Sequence, residues 1–186
     1  MIPPLRVTVF GSARVSPESS EYRDAQRLGA MLAEAGHTVL SGGYAGAMEA
    51  VSRGAREAGG QVVGVTMIPW AGRLTPNQYL SEERAVESLF ARIEALIESD
   101  CLIALPGGAG TLGEVALAWN LRQTELIPRK PVILVGEPWE RMVEAFRWNL
   151  IVADHDLAML RLVHSVEDAV AAMEESEEIL SSGAAG

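Results

Sequence analysis

Residues 101–114 read Cys101-Leu102-Ile103-Ala104-Leu105-Pro106-Gly107-Gly108-Ala109-Gly110-Thr111-Leu112-Gly113-Glu114. An apolar run of strand length leads into a turn with four glycines in seven residues, Gly107, Gly108, Gly110 and Gly113. Beyond it Leu112, Val115, Ala116 and Trp119 recur at helical spacing. A run apolar on both faces, then a glycine turn, then a helix is the unit of a buried parallel sheet. The same order appears where Leu5–Phe10 meets Gly11-Ser12-Ala13 and where Thr38–Ser41 meets Gly42-Gly43-Tyr44-Ala45-Gly46. Gln61–Val65, Pro131–Val135 and Arg161–His164 read as further strands. Between them run the helical stripes Ala25, Leu28, Leu32 and Ala35, then Met48, Val51, Ala55 and Ala58, then Leu89, Ile93, Leu96 and Ile97. This alternation predicts an α/β fold: a doubly wound parallel sheet with helices on both faces and right-handed crossovers.

Working outward, residues 1–180 are expected to form a single domain, because no linker or repeat divides the chain. Ser165 and Asp168 form a capping box that starts a last helix with Val166, Ala169, Val170 and Met173 on its apolar face. Residues 181–186 are small and polar and read as a disordered tail. Thr66–Val86 fits neither period and reads as a long loop over one sheet edge, with a short strand near Arg84-Ala85-Val86.

Composition excludes several functions. The net charge of −10 disfavours nucleic acid and anionic membranes as partners. No apolar run approaches the ~20 residues of a membrane span, and the start Met1-Ile2-Pro3-Pro4-Leu5-Arg6 lacks the regions of a signal peptide, so a cytoplasmic location is expected. One cysteine, Cys101, and three scattered histidines predict no metal site. Lys130 is the single lysine, beside fourteen arginines. A pyridoxal enzyme needs a Schiff-base lysine in its pocket, and Lys130 precedes Pro131 at the foot of a strand, away from every glycine turn.

Glycine turns at the carboxyl ends of parallel strands sit where doubly wound sheets bind ligands. There the backbone can approach a phosphate and the next helix offers free amides, without any lysine. The candidate phosphate ligands are Gly11, Ser12, Gly42, Gly43, Gly107, Gly108, Gly110 and Thr111. At Gly11 a simple strand-to-helix turn explains the residues equally well. The dinucleotide and P-loop fingerprints are absent. Glu114 has two readings. Thr111-x-x-Glu114 spells a capping box, while a carboxylate beside a phosphate cradle has a use on the neighbouring sugar. Arg92 sits at the edge of its helix stripe, as either a snorkelling surface side chain or a ligand contact. Arg14 and Arg84 are weaker options for ligand charge; Tyr44 and Trp70 have base stacking as one option, with a structural role the stronger reading.

The run Pro106-Gly107-Gly108-Ala109-Gly110-Thr111-Leu112-Gly113-Glu114 resembles the PGGxGTxxE signature of the Lonely Guy family of cytokinin-activating nucleoside 5′-monophosphate phosphoribohydrolases, often mislabelled as lysine decarboxylases. Val9-Phe10-Gly11-Ser12 and Gly42-Gly43-Tyr44-Ala45-Gly46-Ala47-Met48-Glu49-Ala50 resemble its first turn and its second glycine motif. The resemblance spans about Val7 to Phe146 and implies a Rossmann-like fold, a homodimer or larger assembly, no cofactor, and a catalytic pair of Arg92 and Glu114. Ile93 stands where the family's arginine is followed by lysine. The reaction so implied is hydrolysis of the N-glycosidic bond of a purine nucleoside 5′-monophosphate, AMP or N6-modified AMP, to free base and ribose 5-phosphate. The alternative is a non-catalytic nucleotide or molybdenum-cofactor carrier of the same fold. Surplus apolar residues on the helices carrying Leu89, Phe90, Ile93 and Leu96, and Leu112, Val115, Trp119 and Leu121, also predict a homo-oligomer.

Overall fold

Apolar β-rich segments become β1 (Arg6–Phe10), β2 (Thr38–Ser41), β3 (Val62–Met67), β4 (Glu82–Val86), β5 (Cys101–Ala104), β6 (Val132–Val135) and β7 (Leu160–Val163). This is a computed structural model, and it describes residues 3–183. All adjacent strands pair in parallel, in the order β4-β3-β2-β1-β5-β6-β7. The chain builds outward from β1 to β4, then returns to β5 on the other side of β1. The order therefore reverses between β1 and β5, which opens a crevice at their carboxyl ends.

Both faces of the sheet are apolar, and alternate residues go to opposite layers. Val7, Val9, Val39, Ile103 and Ile133 pack under α1 (Ser20–Glu34), α2 (Ala47–Glu57) and α7 (Val166–Gly183). Phe10, Leu40, Leu102, Leu134 and Val132 pack under α3 (Leu89–Ile97), α4 (Ala109–Gln123), α5 (Glu137–Asn149) and the short α6 (Asp154–Leu157). This two-sided burial is why the strands read as continuous apolar runs. The α1 and α2 backbones touch: a Cβ on Gly54 would lie 1.8 Å from the Gln26 carbonyl oxygen. Ser165 caps α7 as expected, its Oγ accepting from Asp168 N at 3.1 Å while Asp168 Oδ2 accepts from Ser165 N at 3.1 Å.

Several details depart from the sequence expectations. β3 continues through Met67, a single 3₁₀ turn covers Ile68–Trp70, and the edge strand starts at Glu82, so the loop spans only 71–81. The expected short strand near Arg84-Ala85-Val86 is the second part of this edge strand; the exposed charges of Glu82, Glu83 and Arg84 mask its start in the hydrophobic pattern and guard the edge against foreign strands. α7 extends through Gly183, which takes in the first three residues of the expected tail; 184–186 lie outside the described residues. The apolar face of α4 is largely used internally, with Val115, Ala118 and Trp119 buried, whereas Leu89 and Phe90 on α3 are exposed. Lys130 is buried at the foot of β6, where Nζ donates to the carbonyls of Ile97 (2.8 Å) and Ser99. It closes the carboxyl end of α3, at the opposite end of the sheet from the glycine turns, and burial pushes its pKa down.

Candidate active site

The carboxyl ends of β1, β2 and β5 open into a cavity of about 750 Å³. Its charged floor is a pair that sequence spacing leaves 22 residues apart. Ser88 caps α3 by accepting from Ala91 N at 3.1 Å, so the next residue, Arg92, falls in the first turn with its side chain under the cavity. Arg92 is buried, with 6% exposed. Its Nε donates to the Val65 carbonyl at 2.8 Å, and one terminal nitrogen donates to Glu114 Oε1 at 3.3 Å. The other terminal nitrogen rests 3.8 Å from Met48 Sδ. The guanidinium carbon lies 5.8 Å from the centre of the Trp70 ring and 6.0 Å from that of Tyr44. Burial and these contacts decide against a snorkelling surface arginine.

Gly42 has a specific part in this arrangement. A Cβ there would come within 1.8 Å of the Arg92 guanidinium, so the glycine leaves the volume that the arginine fills. Gly43 turns its amide to Ser41 Oγ at 3.2 Å and does not line the cavity. Gly107 also stands outside the lining; its missing Cβ makes room for the buried Thr111 side chain, whose Oγ1 would lie 2.2 Å away. Gly11, Ser12, Gly42, Gly108, Gly110 and Thr111 do line the cavity with Arg92 and Glu114.

The capping-box reading of Glu114 is overturned. α4 begins at Ala109 with Gly108 as its N-cap and no side-chain cap, so Thr111 already lies inside the first turn. Glu114 is then a full turn too far along to reach the cap amide. The amides of Ala109, Gly110 and Thr111 have no acceptor within the helix, by helix geometry, and they border the cavity. A Cβ on Gly108 or Gly110 would meet nothing within 4 Å, so the fold itself does not demand glycine there. An uncapped helix end with open space before it suits an anion. The Glu114 side chain is only 13% exposed, and burial pushes its pKa up to about 6 against the opposing pull of Arg92.

Arg14 lines the cavity too, whereas Arg84 pairs with Glu98 at 3.2 Å on the exposed sheet edge, away from it. Sequence reading left out Arg73, Leu74 and Thr75, which come from the 71–81 loop, and Met48, read only as a helix-stripe residue. An arginine in an aperiodic loop carries no sequence signal of its own. Among the described residues no three His, Cys, Asp or Glu side chains gather to hold a metal ion, and no helix is long and apolar enough to cross a membrane.

The chain as a whole is similar to several known proteins. A Mycobacterium marinum protein named cytokinin riboside 5′-monophosphate phosphoribohydrolase is 31% identical over 178 residues, 91% of this chain and 94% of its own. A rice protein named a probable cytokinin riboside 5′-monophosphate phosphoribohydrolase is 40% identical over 133 residues, 70% of this chain; the match spans 54% of its length. The solved structure of the molybdenum cofactor carrier protein from Chlamydomonas reinhardtii superposes with a TM-score of 0.73 at 28% identity, over 93% of this chain and 98% of that one. The model of the SLOG cluster4 family matches residues 4–170. The chain belongs to the SLOG cluster4 family, a Lonely Guy-like family.

Proposed function

We propose that the protein is a nucleoside 5′-monophosphate phosphoribohydrolase acting on AMP or an N6-modified AMP. The observation that carries this reading is the buried Arg92–Glu114 pair beside the uncapped amino end of α4. In it the 5′-phosphate sits against the free amides of Ala109, Gly110 and Thr111, which supply hydrogen bonds and the positive end of the helix dipole. Cleavage of an N-glycosidic bond develops positive charge on the sugar ring, and Glu114 supplies the opposing carboxylate or orients the attacking water. Water adds across the bond between C1′ and the base nitrogen; the base leaves with a proton and the sugar remains as ribose 5-phosphate. Arg92, anchored at Val65, holds Glu114 in place and offsets part of its burial. Because Arg92 spends Nε on the backbone and one terminal nitrogen on Glu114, we assign it to positioning and electrostatics.

The names of the mycobacterial and rice relatives support the reaction class. A carrier without turnover is the second reading, supported by the near end-to-end likeness to the Chlamydomonas carrier. Chromatography of AMP and N6-substituted AMP incubated with pure protein separates the two. Free base and ribose 5-phosphate are expected in equal amounts. No base released from any nucleoside monophosphate, with a cofactor retained through purification, would establish the carrier instead.

A further inference from the structure

Trp70 differs from the chain's other three tryptophans. The indole nitrogens of Trp119, Trp139 and Trp148 donate to Asp156 O at 2.8 Å, Leu105 O at 3.2 Å and Glu144 Oε1 at 2.6 Å. That of Trp70 has no acceptor among the described residues, and Trp70 is the tryptophan that lines the cavity, half-buried at the end of the 3₁₀ turn after β3. Tyr44 backs it, ring centres 5.6 Å apart and planes tilted by 51°. Tyr44 is itself buried and tethered, its hydroxyl accepting from Met67 N at 2.8 Å. The indole is thus held in place by a fixed neighbour, keeps a free N–H, and presents part of its ring to the cavity next to the Arg92–Glu114 pair.

A nucleotide whose C1′ lies at Glu114 must place its base within one ring's width of that carboxylate. The partly exposed aromatic surface there is Trp70. We infer that Trp70 is the platform on which the ligand's base stacks, and that it selects a fused two-ring purine over a single-ring pyrimidine. Stacking area sets the preference, because a purine covers more of the indole than a pyrimidine does. The free indole N–H is left to meet a ring nitrogen or an exocyclic acceptor. This inference rests on the nucleotide reading of the site, and it applies whether the bound nucleotide is turned over or only held.

Calorimetric titration of AMP, CMP and ribose 5-phosphate into the parent, Trp70→Phe and Trp70→Ala proteins tests it. Ribose 5-phosphate carries the sugar and phosphate without a base, so it reports the rest of the site. The parent should bind AMP more tightly than CMP. Trp70→Ala should weaken AMP by about tenfold or more and narrow the gap between AMP and CMP, while ribose 5-phosphate is unchanged. Trp70→Phe should fall between the two. If Trp70→Ala weakens AMP and ribose 5-phosphate alike, Trp70 acts through Arg92 and the platform is overturned. Unaltered AMP binding in Trp70→Ala overturns it as well. A parent protein that binds neither AMP nor ribose 5-phosphate removes the nucleotide reading itself, and the platform with it.

Discussion

Glu114 is ionised at neutral pH in a setting that resists its charge, and that tension separates two effects of one substitution. Its pKa is near 4.5 when exposed and about 6 in the fold. Between those values the unfolded chain gives up its proton before the folded one, so the folded protein loses about 2 kcal/mol as pH rises through that window. The shift already includes the attraction of Arg92. Glu114→Gln mimics the protonated group, so it should be more stable than the parent at pH 7.5 by about 1–2 kcal/mol and flatten the loss of stability between pH 4.5 and 6. Turnover should move the other way: kcat should fall by about 10²-fold or more, while AMP binding persists. In the proposed reaction the carboxylate is the active form, so parent kcat should rise with pH through about 6. Denaturant melts and pH–rate profiles of both proteins check this. A Glu114→Gln protein that is less stable at pH 7.5 and turns over AMP at the parent rate would mark Glu114 as structural.

The beginning of α4 is set by glycines that its own helix would not select. Gly110 lies in the first turn with its missing Cβ facing open space, and its φ is not positive. Replacing it by alanine should therefore strengthen the helix by about 0.5–1 kcal/mol. The same methyl group would stand among the amides offered to phosphate, so affinity for ribose 5-phosphate should drop. A Gly110→Ala protein that gains stability and keeps its affinity would show that phosphate does not approach this turn. Gly54 poses the opposite case, because its absent Cβ would lie 1.8 Å from the Gln26 backbone. Gly54→Ala must push α2 off α1, and thermal melts should register a loss of about 3 kcal/mol or more. The two glycines look alike in sequence, and only the packing tells them apart. The same limit governs what could be read beforehand. Strands buried on both faces announced themselves in full, whereas the exposed, charged edge strand Glu82–Val86 showed only its second part, Arg84-Ala85-Val86. Glu114 stood out through its place after a glycine turn and Arg92 beside it only through the family resemblance, whereas its freedom from capping depended on where α4 starts. Arg73 reaches the cavity through an aperiodic loop, where no periodicity exists to read, and Trp70, an option by residue type alone, reaches it from a single 3₁₀ turn.

At the scale of the whole molecule, a chain of net charge −10 lines its cavity with Arg14, Arg73 and Arg92 against the single carboxylate Glu114. The local positive excess within a negative surround draws an anionic ligand to this mouth and discourages binding elsewhere. The surface next to that site is unusual as well. Phe90 is 81% exposed and Leu89 47%, two residues and three residues before Arg92 on α3. On α5 and just beyond it, Trp148 is 77% exposed, and Leu150 and Ile151 are also uncovered. Large side chains left in water on a helix that carries a candidate site residue are best covered by a second copy, since a two-fold contact buries each patch twice. Light scattering at micromolar concentration should give about 40 kDa, twice the 19.9 kDa of the subunit. Phe90→Asp places a charge in the contact and should return the protein to 19.9 kDa. If α3 meets its copy beside the cavity, the dissociated variant should also lose AMP affinity, because Arg92 would then be carried on a helix with one face uncovered. A parent protein of 19.9 kDa at that concentration would leave α3 facing solvent and the site complete within one chain.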